Sequence, residues 1–197
     1  MKFQLMKYLS PLAVIVSLLM LTGCATGPTV RVDFDRLADF THYQSFGFVS
    51  PLGTDRGGYQ SIVSQHLKAA TQRQLEARGL HLDTVKPQLL INFYAQLNEK
   101  LRITTMPEAR MGLGYYGYRA GLYAPWPMYY DQTIVTPYIE GTLNIDVVDA
   151  VRKQLVWESV VIESVTQETL DNLATAINAA VTAAFAKYPI PGPGKTR

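Results

Sequence analysis

The chain has 197 residues, one cysteine and a formal net charge of +2, with 48% apolar and 17% charged side chains. That length suits one domain with short extensions and can bury a core without disulfides or metal. A lone Cys excludes a disulfide framework or a cysteine-based zinc finger, the small charge with no Lys/Arg run gives no footprint for nucleic acid, and the apolar content excludes disorder throughout.

Lys2 and Lys7 open the chain, and Tyr8 to Leu21 is apolar apart from Ser10, Pro11 and Ser17. That stretch is about 14 residues, short of the roughly 20 needed to span a bilayer, so it is predicted to be a secretory signal. Leu21-Thr22-Gly23-Cys24 follows. It resembles the bacterial lipobox, an aliphatic residue and two small residues before the cysteine to be acylated. The resemblance implies cleavage after residue 23 and a lipid on the Cys24 thiol. Ala25 stands where an Asp is associated with inner-membrane retention, so the expected location is the outer membrane, facing the periplasm. Lys2 and Lys7 supply the whole surplus charge, because the chain from Cys24 on carries equal numbers of acidic and basic side chains. Residues 24–29 form a tether of about 20 Å at most.

The domain is expected over 30–189. Val30 to Phe34 alternates apolar and polar, the period of a half-buried strand, and Ser45 to Val49 reads as a second. Gln60 to Arg78 keeps a helical stripe through Val63, Leu67, Ala70 and Leu75, with Gly79 where a terminating glycine belongs. Leu89 to Phe93 is a continuous apolar run, a core strand that Leu101 to Thr105 continues or pairs with. Gly112 to Tyr130 is rich in Gly and Tyr without a period and is expected to be an irregular loop. Ile134 to Val148 and Gln154 to Ile162 read as a hairpin turning near Ala150 to Lys153. Gln167 to Lys187 has the strongest helical period, with Thr166 as N-cap and Pro189 beyond its end. Residues 190–197 are expected to be a disordered tail. The sum is an α+β domain, a largely antiparallel sheet with two helices on one face, in the order ββ-α-βββ-α.

Several stretches together resemble one family. Val30-Arg-Val-Asp-Phe-Asp, then Asp39-Phe40-Thr-His-Tyr43-Gln-Ser-Phe46, is similar to an opening V-x-x-D-x-D…D-F-x-x-Y-x-T-F. Arg78-Gly79-Leu80 with Lys86-Pro87-Gln88-Leu89-Leu90-Ile91 is similar to K-G-Y…D-P-D-L-L-V, with Gln88 in place of the common acid. Glu140-Gly-Thr-Leu143-Asn-Ile145-Asp146-Val-Val-Asp149, with Leu155-Val-Trp157, is similar to a G-T-L-x-I-D-x-x-D…L-x-W hairpin. Phe185-Ala-Lys-Tyr-Pro189 closes the pattern. These motifs resemble the bacterial lipoprotein family known as domain of unknown function 4136. The resemblance implies location and fold; the family has no assigned activity, so it carries no catalytic residue across.

The candidate chemistry is sparse. Gly112-Leu-Gly114-Tyr-Tyr-Gly117 matches G-x-G-x-x-G, but Gly121, Pro125 and Pro127 break the helix a phosphate cradle requires. Tyr115, Tyr116, Tyr118, Tyr123, Trp126, Tyr129 and Tyr130 form a possible contact surface, since such rings suit interfaces that are apolar at one end and wet at the other. Asp33 with Asp35, and Asp146 with Asp149, are paired acids that could support hydrolysis, provided they converge in one cleft. His42, His66 and His81 lack metal-ligand spacing, and Ser61 and Ser64 lack a nucleophile setting. Trp157 reads as core. The expectation is a non-enzymatic envelope lipoprotein without metal or cofactor, contacting the membrane through Cys24 and an envelope protein or glycan through its aromatic segment. The alternatives are an envelope hydrolase and an accessory subunit of a larger envelope complex.

Overall fold

The computed structural model describes residues 27–112 and 126–192, with backbone pairing alone given for residues 110–112 and 126–128. The strands are β1 (Thr29–Phe34), β2 (Ser45–Phe48), β3 (His81–Leu82), β4 (Leu89–Gly112), β5 (Trp126–Asp149) and β6 (Gln154–Val165). The helices are α1 (Ile62–Glu76), α2 (Gln167–Asp171) and α3 (Leu173–Phe185), and a single 3-10 turn spans Phe40–His42.

The α+β class holds, with a correction to the sheet. The six strands lie in the order β1-β6-β5-β4-β2-β3. β1, β6, β5 and β4 pair antiparallel, but β2 runs parallel to both β4 and β3, so the sheet is mixed. The reason is α1. It carries the chain from the end of β2 back to the start of β3 and β4, the crossover that a parallel pair requires. The two-residue β3 is too short to leave a period in the sequence.

Cross-strand register lines up the core. Leu89, Ile91 and Phe93 of β4 face Asp149, Val147 and Ile145 of β5. Val147 and Ile145 in turn face Trp157 and Ser159 of β6. All except Asp149 are fully buried. A bulge in β6, opposite Val147 and Val148, lets the consecutive residues Val156 and Trp157 both be fully buried, which strict alternation forbids. The helices supply Leu67, Ala70 and Leu75 from α1 and Ile177, Val181, Ala184 and Phe185 from α3 to the same core. Trp157 packs against Phe185 and Tyr188, with ring centroids 5.1 and 5.3 Å away.

The C-terminal helix is also corrected. One helix was expected from Gln167 to Lys187, but it breaks at Asn172, whose φ of −116° and ψ of 39° leave the helical region. The Asn172 side chain donates to the Glu168 carbonyl at 3.2 Å, the local competition with backbone bonding that disfavours Asn inside helices. Thr166 caps α2 through a capping box with Thr169. Leu170, expected in the apolar stripe, is 45% exposed, because α2 and α3 do not present one continuous face. At the end of α1, Gly79 adopts φ +89°, the left-handed conformation that lets the chain turn sharply towards β3.

Candidate functional site

The segment from Gly112 to Tyr130 is not wholly an irregular loop. Gly112 ends β4, Trp126 to Tyr130 begin β5, and Gly112 pairs with Trp126. The pairing of β4 with β5 runs without a register shift from Leu89↔Asp149 to that point. Tyr and Trp favour strands, and a long ladder overrode the local glycine and proline content. Tyr129 is 70% and Tyr130 52% exposed. Tyr115, Tyr116, Tyr118 and Tyr123 lie outside the described residues, as does Cys24; Trp126 is placed by its backbone alone.

β4 and β5 outrun the rest of the sheet. On one side β2 pairs with β4 only up to Ile91, and on the other β6 pairs with β5 only from Ile139 onward. Beyond Glu99 and Ile139 the two strands pair only with each other. From Leu97 to Gly112 this ribbon is about 50 Å long.

Its two faces differ. Leu97, Leu101 and Ile103 continue the side of β4 that carries Leu89, Ile91 and Phe93, and face Gly141, Pro137 and Val135 across the ladder. They are 63%, 67% and 67% exposed, so the apolar face of the core continues into the ribbon without its helical cover. The opposite face is more mixed, with Met106 and Ile134 exposed among charged and hydroxyl side chains. Lys100 Nζ lies 3.4 Å from Glu140 Oε1, the Arg102 guanidinium sits 4.9 Å from the centre of the Tyr138 ring, and the Tyr138 hydroxyl donates to Glu140 at 3.3 Å.

The four acids do not converge in one cleft: Asp33 and Asp35 line an open groove with Glu158, while Asp146 and Asp149 lie outside it. Asp33 and Asp146 both register against Glu158, so three carboxylates form a row across β1, β6 and β5 on the sheet face opposite the helices. Burial and then the Glu158 charge raise the Asp146 carboxyl above its ordinary value. Asp35 leaves that face because β1 ends at Phe34. It accepts from the Leu37 N–H at 2.9 Å and lies 3.6 Å from the Arg152 guanidinium. Arg152 also donates to Asp149 Oδ2 at 2.9 Å, and Tyr43 donates to the same oxygen at 2.8 Å.

Asp149 is the centre of this second group. Its Oδ1 accepts from the N–H groups of Val151 and Arg152 at 2.9 and 2.8 Å, which shapes the β5–β6 turn. Burial opposes its ionisation, but these N–H groups, the Arg152 guanidinium and the Tyr43 hydroxyl outweigh it and hold the carboxyl down at about 2. The network ties β1, the Tyr43 segment and the hairpin turn together, an architectural role.

The other candidates are also placed. Ser61 caps α1 by accepting from the Ser64 N–H at 3.0 Å, and Ser64 lies 2.6 Å from Thr54. His42 bonds Asp39 at 2.6 Å on the surface, His66 is half-buried on α1, and His81 is exposed on β3. Among the described residues no group of His, Cys, Asp and Glu is arranged to hold a metal ion. Gln88 accepts from the N–H groups of Gln44 and Ser45 at 2.7 and 3.2 Å, so an amide oxygen ties β2 to the start of β4.

Two structural residues escaped the sequence reading. Arg78 donates to the carbonyls of Gln74, Phe185 and Ile190 at 2.6, 2.7 and 3.0 Å, clamping the chain after α3 to the end of α1. Its position beside Gly79 was the available signal. Arg152 sits in a turn, where a basic residue reads as ordinary surface.

No curated protein matches the chain. Among solved structures, a PDZ domain protein from Parabacteroides distasonis is similar over 93% of this chain, with a TM-score of 0.56 and 15% identity. This chain spans 41% of that protein's length. A DUF4136 family protein from Bacteroides thetaiotaomicron is similar over 84% of this chain and 98% of its own, with a TM-score of 0.51 and 14% identity. At such identities the likeness is one of fold. The model of the family described as "Domain of unknown function (DUF4136)" matches residues 30–190, and the chain belongs to that family.

Proposed function

We propose that this protein is an outer-membrane lipoprotein, acylated on Cys24, with a non-enzymatic binding or structural role in the bacterial cell envelope. The observation that carries the reading is Leu21-Thr22-Gly23-Cys24 at the end of a short apolar segment with a basic start. The position of the domain supports it, since β1 begins at Thr29, five residues after Cys24. Among the described residues no helix is long and apolar enough to cross a membrane. A single acyl chain anchors marginally, whereas a diacylglyceryl and N-acyl group on one cysteine anchors firmly. The ribbon formed by β4 and β5, with exposed Tyr129 and Tyr130, is the contact surface of this reading, towards an envelope protein, a glycan or lipid.

Labelling with an alkyne fatty acid in a bacterial host tests the anchor. The wild-type chain takes up label and loses its leader, whereas Cys24→Ser takes up none and keeps it. Label on the Ser variant overturns the assignment.

A second reading, an envelope hydrolase, has one observation in its favour: Asp146 has its carboxyl raised beside Glu158 and in register with the row reaching Asp33. The row lies on an open sheet face, and the Asp35–Asp149 pair is committed to Arg152 and Tyr43, so the non-enzymatic reading is preferred.

A further inference from the structure

We infer that the apolar face of the β4–β5 ribbon rests on a phospholipid surface, lying along the interface beside the lipid anchor. Its third observation rests on the acylation of Cys24 proposed above.

Three observations support it. First, an isolated two-stranded ribbon is marginal in water, and this one also exposes Leu97, Leu101, Ile103 and Val135 by half or more on one side. An apolar cover is therefore missing from that face.

Second, the ribbon's edges are unsuited to pairing with another strand. Pro107 faces Asp131 and Pro137 faces Leu101. Proline has no N–H, so neither residue can belong to a mutually hydrogen-bonded pair. Each must occupy the alternate position, where backbone groups point outward. Each free edge thus lacks one donor in mid-length, which discourages extension of the sheet. The partner must sit on the face.

Third, the anchor brings a bilayer to this end of the sheet. Thr29 registers with Ile162, Ile162 with Thr142, and Thr142 with Gln96, the row immediately below the ribbon. Cys24 is five residues from Thr29, so an acylated Cys24 sets the membrane surface within about 17 Å of that row. A ribbon about 50 Å long leaving the sheet at the same end cannot stand upright in that gap. It lies down, and its apolar face is the one that gains from contact. Glu99 separates Leu97 from the stretch of Leu101, Ile103 and Val135, and Asp131 ends that stretch, leaving an apolar length of about 20 Å; with open backbone edges this excludes a bilayer crossing. The Lys100, Arg102 and Glu140 face stays in water.

The test places single cysteines at Leu101, Arg102, Ile103 and Thr104 of the full chain, produced with its leader. Acylation leaves Cys24 without a free thiol, so each new thiol takes an environment-sensitive dye alone. The protein is reconstituted in phosphatidylethanolamine/phosphatidylglycerol vesicles carrying a nitroxide-labelled lipid, and acylation is read independently by mass spectrometry. Quenching at 101 and 103 roughly threefold greater than at 102 and 104 is the expected alternation. Leu101→Glu combined with the dye at 103 abolishes it while circular dichroism stays unchanged. Equal, weak quenching at all four positions of an acylated chain overturns the inference. So does period-two dye protection without quenching, which assigns the face to a protein, including a second copy of this chain. Missing acylation with period-two quenching of chain added from solution sinks the anchor reading alone and upholds the ribbon.

Discussion

The two halves of the β4–β5 hairpin belong to one ladder and meet opposite fates. In the inner half, Leu89, Ile91 and Phe93 are fully buried beneath α1 and α3. In the outer half, Leu97, Leu101 and Ile103 lie on the same side of the ladder, yet each is more than 60% exposed. Both halves are one continuous pairing, so backbone hydrogen bonding does not separate them. What differs is the cover: β2 ends before the ribbon begins, β6 ends within its first residues, and the apolar face beyond has no helical cover. The inner half is therefore a stability element. The outer half has apolar side chains that contribute little to folding, and their presence requires another explanation.

That contrast can be broken by substitution. Phe93→Ala should cost about 3–5 kcal/mol in urea denaturation, because the ring is fully enclosed and its cavity collapses only in part. A cost under about 1 kcal/mol would show that the inner half is not the core of this fold.

Asp149→Asn should have an intermediate effect, about 1–3 kcal/mol at pH 5, since the amide cannot match a carboxylate that accepts from two N–H groups, Arg152 and Tyr43. The sign of its pH dependence is set by the depressed carboxyl, from an ordinary 3.8 to about 2. The stabilisation is fully present above the unfolded value and is lost as pH falls through about 2. The gap between wild type and variant should thus narrow between pH 5 and pH 2, and a constant gap would deny the charge its role.

The smallest effect belongs to the outer half. Ile103→Ala should change stability in solution by no more than about 0.5 kcal/mol, measured by the same denaturation. A loss comparable to that of Phe93→Ala would mean the ribbon is buried in solution, by self-association, and would erase the distinction between the halves.

Much of the local structure was legible. Thr166 is the cap its side chain suggests, Gly79 turns the chain as a helix-ending glycine, and the hairpin turn falls at Ala150 to Lys153, whereas Ser61, expected inside a helix from Gln60, caps one that begins at Ile62. These features depend on neighbours a few residues apart. The break at Asn172 and the bulge at Val156 were less legible, because each is one residue departing from an otherwise good period. The candidate acids show the limit most clearly. Spacing paired Asp33 with Asp35 and Asp146 with Asp149; Asp33 and Asp35 do line one groove, but register sets Asp33 and Asp146 on either side of Glu158, and Arg152 joins Asp35 to Asp149.

The sequence by itself determined the class of the domain, its main helices and strands, its family and the motif that motivates an anchor at Cys24. Composition, period and short motifs are properties of neighbours along the chain. Only the tertiary structure decided that the sheet is mixed, that β4 and β5 continue as an uncovered amphipathic ribbon, and that the ribbon starts at the row where β1 begins. Those facts depend on which distant segments pair and where the covering helices stop. Alternation records which side of a strand is apolar; it does not record what, if anything, packs upon it.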